Sequence, residues 1–205
     1  RFTKWRAVYK IGNKFPSSQS IKSNAHALAR YAALVQEAKM VPIIEPEVLM
    51  DGSHDINKCY HVTTDVLNEC YNQLAIHNID LKGTVLKPNM IIPGSGSTKK
   101  SSSEEIAQKT LDCLKKNVPD EVTGIAFLSG GQSEIEASKN LNAINKINDT
   151  NFLITFSYGR GLQASALKAF GKDQNKQNNI QLAFDHRAKM NGLSSKGEWS
   201  EKLEK

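Results

Sequence analysis

Lys87 follows the apolar pair Val85-Leu86 and precedes Pro88, so an amine is presented where a short apolar run stops. An ammonium taken out of water beside another cation gives up its proton more readily, and the free amine attacks a carbonyl carbon. Lys4 is a candidate for that neighbouring cation. Glu45, at the end of the run Met40 to Ile44, could shuttle protons to and from the carbinolamine that such an attack forms. A structural Lys87–Glu45 ion pair is the plain alternative. Two glycine-bearing stretches suit anions. In Phe127-Leu-Ser-Gly-Gly-Gln-Ser133 an apolar run gives way to a glycine turn and a helix start. There Gly130 and Gly131 let backbone N–H groups approach a phosphate. Ser157-Tyr-Gly-Arg160 repeats the idea, with Arg160 adding a charged fork.

Each of these residues ends an apolar run. Met40–Ile44 runs into Glu45, Thr84–Leu86 into Lys87, Ile125–Leu128 into Ser129, and Phe152–Phe156 into Ser157. Helical spacing separates the runs. Val62, Val66, Cys70 and Leu74 stripe a helix over about Asp55–His77. Ala107, Leu111 and Leu114 stripe one over Ser103–Lys116, opened by a predicted Ser102/Glu105 capping box. Ala137, Leu141 and Ile144 mark a third over Gln132–Ile147, and Arg160–Phe170 reads as a fourth. At the front, strand-like Phe2–Ile11 leads to a helix over about Ser18–Lys39. Beyond Gly171 the helical pattern is weaker and rich in Lys, Asn and Gln. Five strand–helix units without a hairpin signal predict a parallel α/β sheet, either barrel or doubly wound. In both, the carboxyl ends of the strands converge on one face, where sites form. A run of four polar strand ends, a Lys and a Glu among them, favours a site over four unrelated surface positions.

Composition narrows the partners. With 205 residues, 39% hydrophobic and 23% charged, the chain can build one real core and is not a disordered tail. No apolar run reaches the roughly 20 residues of a membrane span. Lys+Arg exceeds Asp+Glu by 27 − 21 = 6, which suits phosphorylated metabolites or an acidic protein surface. The basic residues are scattered and aromatics make up only 7%, which argues against nucleic acid. The three cysteines lack a CxxC; Cys70 and Cys113 fall on apolar helix faces and read as reduced core thiols. The five histidines show neither HxH nor HExxH spacing, so no metal site is expected, and they read as surface or capping residues.

At the same residues the sequence resembles class I fructose-bisphosphate aldolases. The matching stretches are Lys4-Trp-Arg6, Val41-Pro-Ile-Ile-Glu-Pro-Glu47, Val85-Leu-Lys-Pro-Asn-Met90, Phe127-Leu-Ser-Gly-Gly-Gln-Ser-Glu134, Leu141-Asn-Ala-Ile-Asn145 and Thr155-Phe-Ser-Tyr-Gly-Arg-Gly-Leu-Gln-Ala-Ser-Ala-Leu-Lys168. They lie in order from Arg1 to about Gly171, and the match fades beyond. The resemblance implies a (β/α)₈ TIM barrel, with residues 1–171 supplying strands four to eight and residues 172–205 a helical tail. It implies that Lys87 is the Schiff-base lysine, Glu45 the main acid/base, Glu47 a supporting carboxylate and Lys4 a catalytic cation. Arg6 would lie near the far phosphate, and Ser129, Gly130, Gly131, Ser157, Gly159 and Arg160 would line the phosphate sites.

The family's first three strands, with an active-site aspartate and a phosphate-binding lysine, have no counterpart here. Neither does its C-terminal tyrosine; the last tyrosine is Tyr158. A chain opening on Arg1 is therefore expected to be an incomplete piece of the barrel with two exposed sheet edges. The implied function is reversible cleavage of fructose 1,6-bisphosphate to dihydroxyacetone phosphate and glyceraldehyde 3-phosphate in glycolysis and gluconeogenesis. It implies no cofactor beyond the covalent Schiff base on Lys87, a cytoplasmic homotetramer, and binding to the actin cytoskeleton. Two other readings stay open: another Schiff-base barrel enzyme of the transaldolase type, and a non-catalytic scaffold for acidic cytoskeletal partners.

Overall fold

The computed structural model describes residues 1–204. Strand β1 (Phe2–Tyr9) alternates outward and inward residues, and helix α1 (Ser18–Glu37) starts where the Ser17 hydroxyl accepts the Ser20 N–H. Then follow β2 (Val41–Val48), α2 (Ile56–Ile76, capped by Asp55), β3 (Val85–Leu86), α3 (Ser103–Asn117), β4 (Gly124–Phe127), α4 (Glu134–Ile147), β5 (Leu153–Phe156), α5 (Arg160–Lys172) and α6 (Gln177–Ser194). Short 3₁₀ turns cover Leu81–Gly83 and Glu201–Glu204.

The strands form one parallel sheet in the order β1-β2-β3-β4-β5. Sequential order decides between the two predicted architectures. A doubly wound sheet reverses its order at a switch point. Right-handed crossovers that always step in one direction instead leave every helix on the same face, as in a barrel. The sheet is thus an arc of a (β/α) barrel. Its helix-side face supplies the core, where Tyr9, Ile44, Val48, Leu86, Ile125, Phe127 and Ile154 pack against Leu28, Val66, Cys70, Leu111 and Leu141. Each such aliphatic or aromatic side chain contributes about 1.5–3 kcal/mol by leaving water. The opposite, concave face carries the ionisable residues. At its margins Phe2 and Leu153 are 70% and 75% exposed, on the two strands with a free edge among the described residues.

Some element boundaries differ from the sequence expectation. Strand β2 does not stop before Glu45. It pairs with β1 over all eight residues, Phe2↔Val41 to Tyr9↔Val48, so Glu45 and Glu47 lie inside it. Strand β3 is shorter than expected, β4 lies one residue earlier, and α4 starts at Glu134 rather than Gln132. Ser102 does cap α3 by accepting the Glu105 N–H, but the reciprocal capping box forms at α4, between Ser133 and Glu136. Helix α6 is fully formed despite its weak pattern. Arg187, Met190 and Ser194 are its buried contacts, and it packs on α4 and α5.

Candidate active site

The β1–β2 register sets two cations beside two carboxylates. Residues of equal parity on a strand share a face, so Lys4, Arg6, Glu45 and Glu47 all project onto the concave side. Glu45 is 3% exposed and lies between two ammonium groups. Lys87 Nζ is 3.2 Å from Oε1, and Lys4 Nζ is 2.9 Å from Oε2. The Lys4 ammonium approaches off the hydrogen-bonding direction, so Oε2 is buried with no hydrogen-bond partner. A buried carboxylate oxygen without a donor is costly unless something else supplies a proton or a hydroxyl there. A carboxylate so placed, with an amine at each oxygen, can give or take a proton. Arg6 Nε donates to Glu47 Oε2 at 2.5 Å, and this bond to Glu47 raises the arginine's pKa. Lys87 itself is held in a semi-enclosed position, its side chain 11% exposed against 41% for Lys4.

Asn89, to which sequence reasoning gave no role, sits at the β2–β3 seam just beyond Lys87. It is buried, its Oδ1 accepts the Val48 N–H at 3.0 Å, and its Nδ2 donates to Thr63 Oγ1 at 3.2 Å and to Met90 O at 3.1 Å. An uncharged side chain beyond a strand end gives no chemical signal in a sequence; only its place two residues after Lys87 hinted at it.

The turn after β4 needs its glycines for conformation and space. Gly130 and Gly131 have φ of 57° and 79°, and a Cβ on Gly131 would lie 2.6 Å from Met50 Sδ. Both glycines line a cavity of about 390 Å³ with Arg6, Glu47, Met50, Asp51, Ser95 and Arg160. Ser129 is buried beneath the turn, with its carbonyl oxygen accepting from Gln132 N and Nε2, each at 3.0 Å. Ser157 and Gly159 do not line this cavity. The Ser157 N–H continues the sheet to Phe127 O at 2.9 Å, and Gly159 starts α5 with an ordinary φ of −91°. The glycine that space demands here is Gly161, in the first turn of α5, where a Cβ would meet the Tyr158 ring at 2.4 Å. Met50, Asp51 and Ser95 were missed because they come from loops that meet only in the fold. A second cavity of about 450 Å³, between the starts of α3 and α4, contains none of the strand-end charges.

Cys59, Cys70 and Cys113 are free and buried, and burial pushes the Cys70 thiol up to about 12. The histidine expectation fails at His54. Both of its ring nitrogens are buried without a partner beside the Gly52 and Gly94 backbone, and burial lowers its pKa. The described residues contain no group of three or more His, Cys, Asp or Glu placed to hold a metal. No helix among them is long and apolar enough to cross a membrane.

The family model for class-I fructose-bisphosphate aldolase matches residues 1–205. The chain is 52% identical to the cytosolic fructose-bisphosphate aldolase 4 of Arabidopsis thaliana, over 96% of its own length and 50% of that protein's. It is 47% identical to the probable class 1 aldolase of Xanthomonas campestris, covering 97% of this chain and 60% of that one. With fructose-bisphosphate aldolase C of Rattus norvegicus the identity is 49%, over 97% and 55% of the two chains. A solved structure of Plasmodium falciparum fructose-bisphosphate aldolase, in complex with TRAP and a small-molecule inhibitor, superposes with a TM-score of 0.92 at 41% identity. It covers 98% of this chain and 58% of that one. The chain therefore spans about half to three-fifths of the length of these relatives.

Proposed function

The chain belongs to the class-I fructose-bisphosphate aldolase family, and on that premise we propose that the protein cleaves fructose 1,6-bisphosphate reversibly through a Schiff base on Lys87. The free amine of Lys87 adds to the ketone carbon. Glu45 gives a proton to the departing hydroxyl, so that water leaves and an iminium remains. A base takes the proton of the C4 hydroxyl, and the C3–C4 electron pair moves into the iminium, which becomes an enamine. Glyceraldehyde 3-phosphate departs. The enamine is protonated at C3, and hydrolysis releases dihydroxyacetone phosphate and regenerates Lys87.

In this reading the iminium is the electron sink, and the chemistry calls for no further cofactor. Lys4 stabilises negative charge beside Glu45, and Glu47 anchors Arg6. Arg6, Arg160 and the turn at Ser129–Gly131 hold phosphate, with Ser157 and Gly159 contributing from the β5 side. The net charge of +6 suits a doubly phosphorylated substrate. A cytoplasmic homotetramer acting in glycolysis and gluconeogenesis, with binding to the actin cytoskeleton, is the setting that goes with this function.

The observation that carries the reading is a buried carboxylate bridging two lysines, 3.2 Å from the amine of Lys87 and 2.9 Å from that of Lys4. Reduction with borohydride in the presence of dihydroxyacetone phosphate tests it. The triose mass should appear on Lys87, and a label on Lys4 or Lys10 instead would sink the assignment.

A further inference from the structure

The seam between β2 and β3 carries both the lysine and its carboxylate, yet it has few backbone bonds. Only Ile43↔Val85 and Ile44↔Leu86 are paired. Odd-numbered amides of β2 face β1, as the bonds Val41 N–Arg1 O and Leu49 N–Tyr9 O show. The even-numbered positions therefore face β3, as Ile44 O does in accepting the Lys87 N–H at 2.8 Å. The next even position is Pro46, which has no N–H to offer to the β3 side. Beyond the Lys87–Ile44 bond the ladder would simply stop, level with Glu45 and Glu47.

From this geometry we infer that Asn89 is a positioning residue that closes the gap with its side chain and so sets the separation of Lys87 from Glu45. Its Oδ1 takes the Val48 N–H, the next donor on that side of β2, at 3.0 Å. Its Nδ2 is tied to Thr63 on α2 at 3.2 Å and reaches Cys59 Sγ at 3.9 Å, so the carboxamide cannot turn away. The Lys87 backbone is thus clamped on both sides: through its own N–H to Ile44, and two residues later to Val48. The inference rests on the Schiff-base reading of Lys87 for its consequence, but not for its geometry.

The test uses the protein at its full natural length. Asn89→Ala should lower kcat for the bisphosphate by about 30- to 100-fold, the cost of misplacing a reacting group by roughly 1 Å. KM should stay within about twofold, because the phosphate contacts lie elsewhere. Thr110→Val is the control. The Thr110 hydroxyl accepts the Ile91 N–H at 3.0 Å, a buried bond of the same kind away from the seam. It should lower Tm comparably and leave kcat unchanged. Asn89→Asp keeps the acceptor for Val48 and should recover about tenfold of the Asn89→Ala loss.

Independently of lysine chemistry, the Val48 amide should exchange with solvent at least about tenfold faster in Asn89→Ala. Full kcat per folded Asn89→Ala enzyme, or a kcat loss matched by Thr110→Val, would overturn the inference. So would an Asn89→Asp enzyme as slow as Asn89→Ala, or an unchanged Val48 exchange rate. A wild-type protein that forms no adduct on Lys87 while Val48 still loosens in Asn89→Ala would remove the Schiff-base reading and leave the clamp standing.

Discussion

Two buried ionic clusters lie at opposite ends of the sheet, and they are built differently. On β1–β3, Glu45 has two lysines within ion-pair range but one oxygen without a hydrogen-bond donor, and Lys4 opens to the concave face. Behind β4 and β5, Arg187 of α6 is 2% exposed and sends its fork inward. Its Nη1 donates to Ser138 Oγ at 2.9 Å, Glu134 O at 3.2 Å and Glu204 Oε1 at 3.2 Å, and Nη2 pairs with the other Glu204 oxygen. Trp199 Nε1 adds a further bond to Glu204 at 2.6 Å. Burial works against the Glu204 charge, yet Arg187 and Trp199 hold its pKa below the usual carboxylate range. A cluster whose carboxylate is saturated on both oxygens holds elements together. In the first cluster the orphan atom is a carboxylate oxygen on the concave face, whereas in the second it is Arg187 Nε on the helix side.

The contrast is broken most directly by removing one cation from each cluster. Arg187→Met should cost about 3–5 kcal/mol, because Glu204 would be left buried without its main partner. Lys87→Met should cost less than about 2 kcal/mol, because Lys4 still pairs with Glu45. Urea unfolding with an unchanged m-value measures both. Equal losses would mean that the two clusters do the same structural work.

A smaller effect separates binding from architecture on the β5 side. Arg160 is exposed at the start of α5 and lines the cavity with Arg6 and the glycine turn. Arg160→Ala should weaken use of the bisphosphate by about ten- to a hundredfold, the value of one charge-assisted hydrogen bond. Its Tm should be unchanged. Steady-state kinetics with intact bisphosphate turnover would reduce Arg160 to a surface residue.

The smallest expected effect concerns His54, which belongs to neither cluster. Burial lowers its pKa from 6.5 in spite of the nearby Asp55, so the unfolded chain binds the proton more readily than the native one. Stability should then fall as pH drops below about 6.5 and be unaffected by this group above it. His54→Gln should flatten that slope in chemical denaturation between pH 7 and about pH 5. An identical slope in the variant would show that the imidazole finds a partner when protonated.

Much of this was legible in the order of residues. Helix stripes such as Val62-Val66-Cys70 and Leu141-Ile144 appear where the core needs them, because 3.6-residue periodicity is a local property. The placement of Lys87 after an apolar pair marked the lysine for the same reason. Boundaries were less legible. The apolar run stops at Ile44, yet Glu45-Pro46-Glu47 is central strand. Its carboxylates face the concave side opposite Lys4 and Arg6, and its proline faces a part of the seam where Asn89 supplies the missing bond.

Strand–helix alternation, the amine, the carboxylates and the glycine turn can be read from the residues in order. These depend on residue type and short spacing alone. Which charges meet is set by the fold, since Lys4, Glu45 and Lys87 are brought together by strand register across two crossovers. It also decided that Arg187 and Glu204 form a structural pair, because a buried charge is tolerated only where the fold supplies its partner. The role of Asn89 belongs to that second class: a backbone gap on one strand has no meaning until the neighbouring strand is laid beside it.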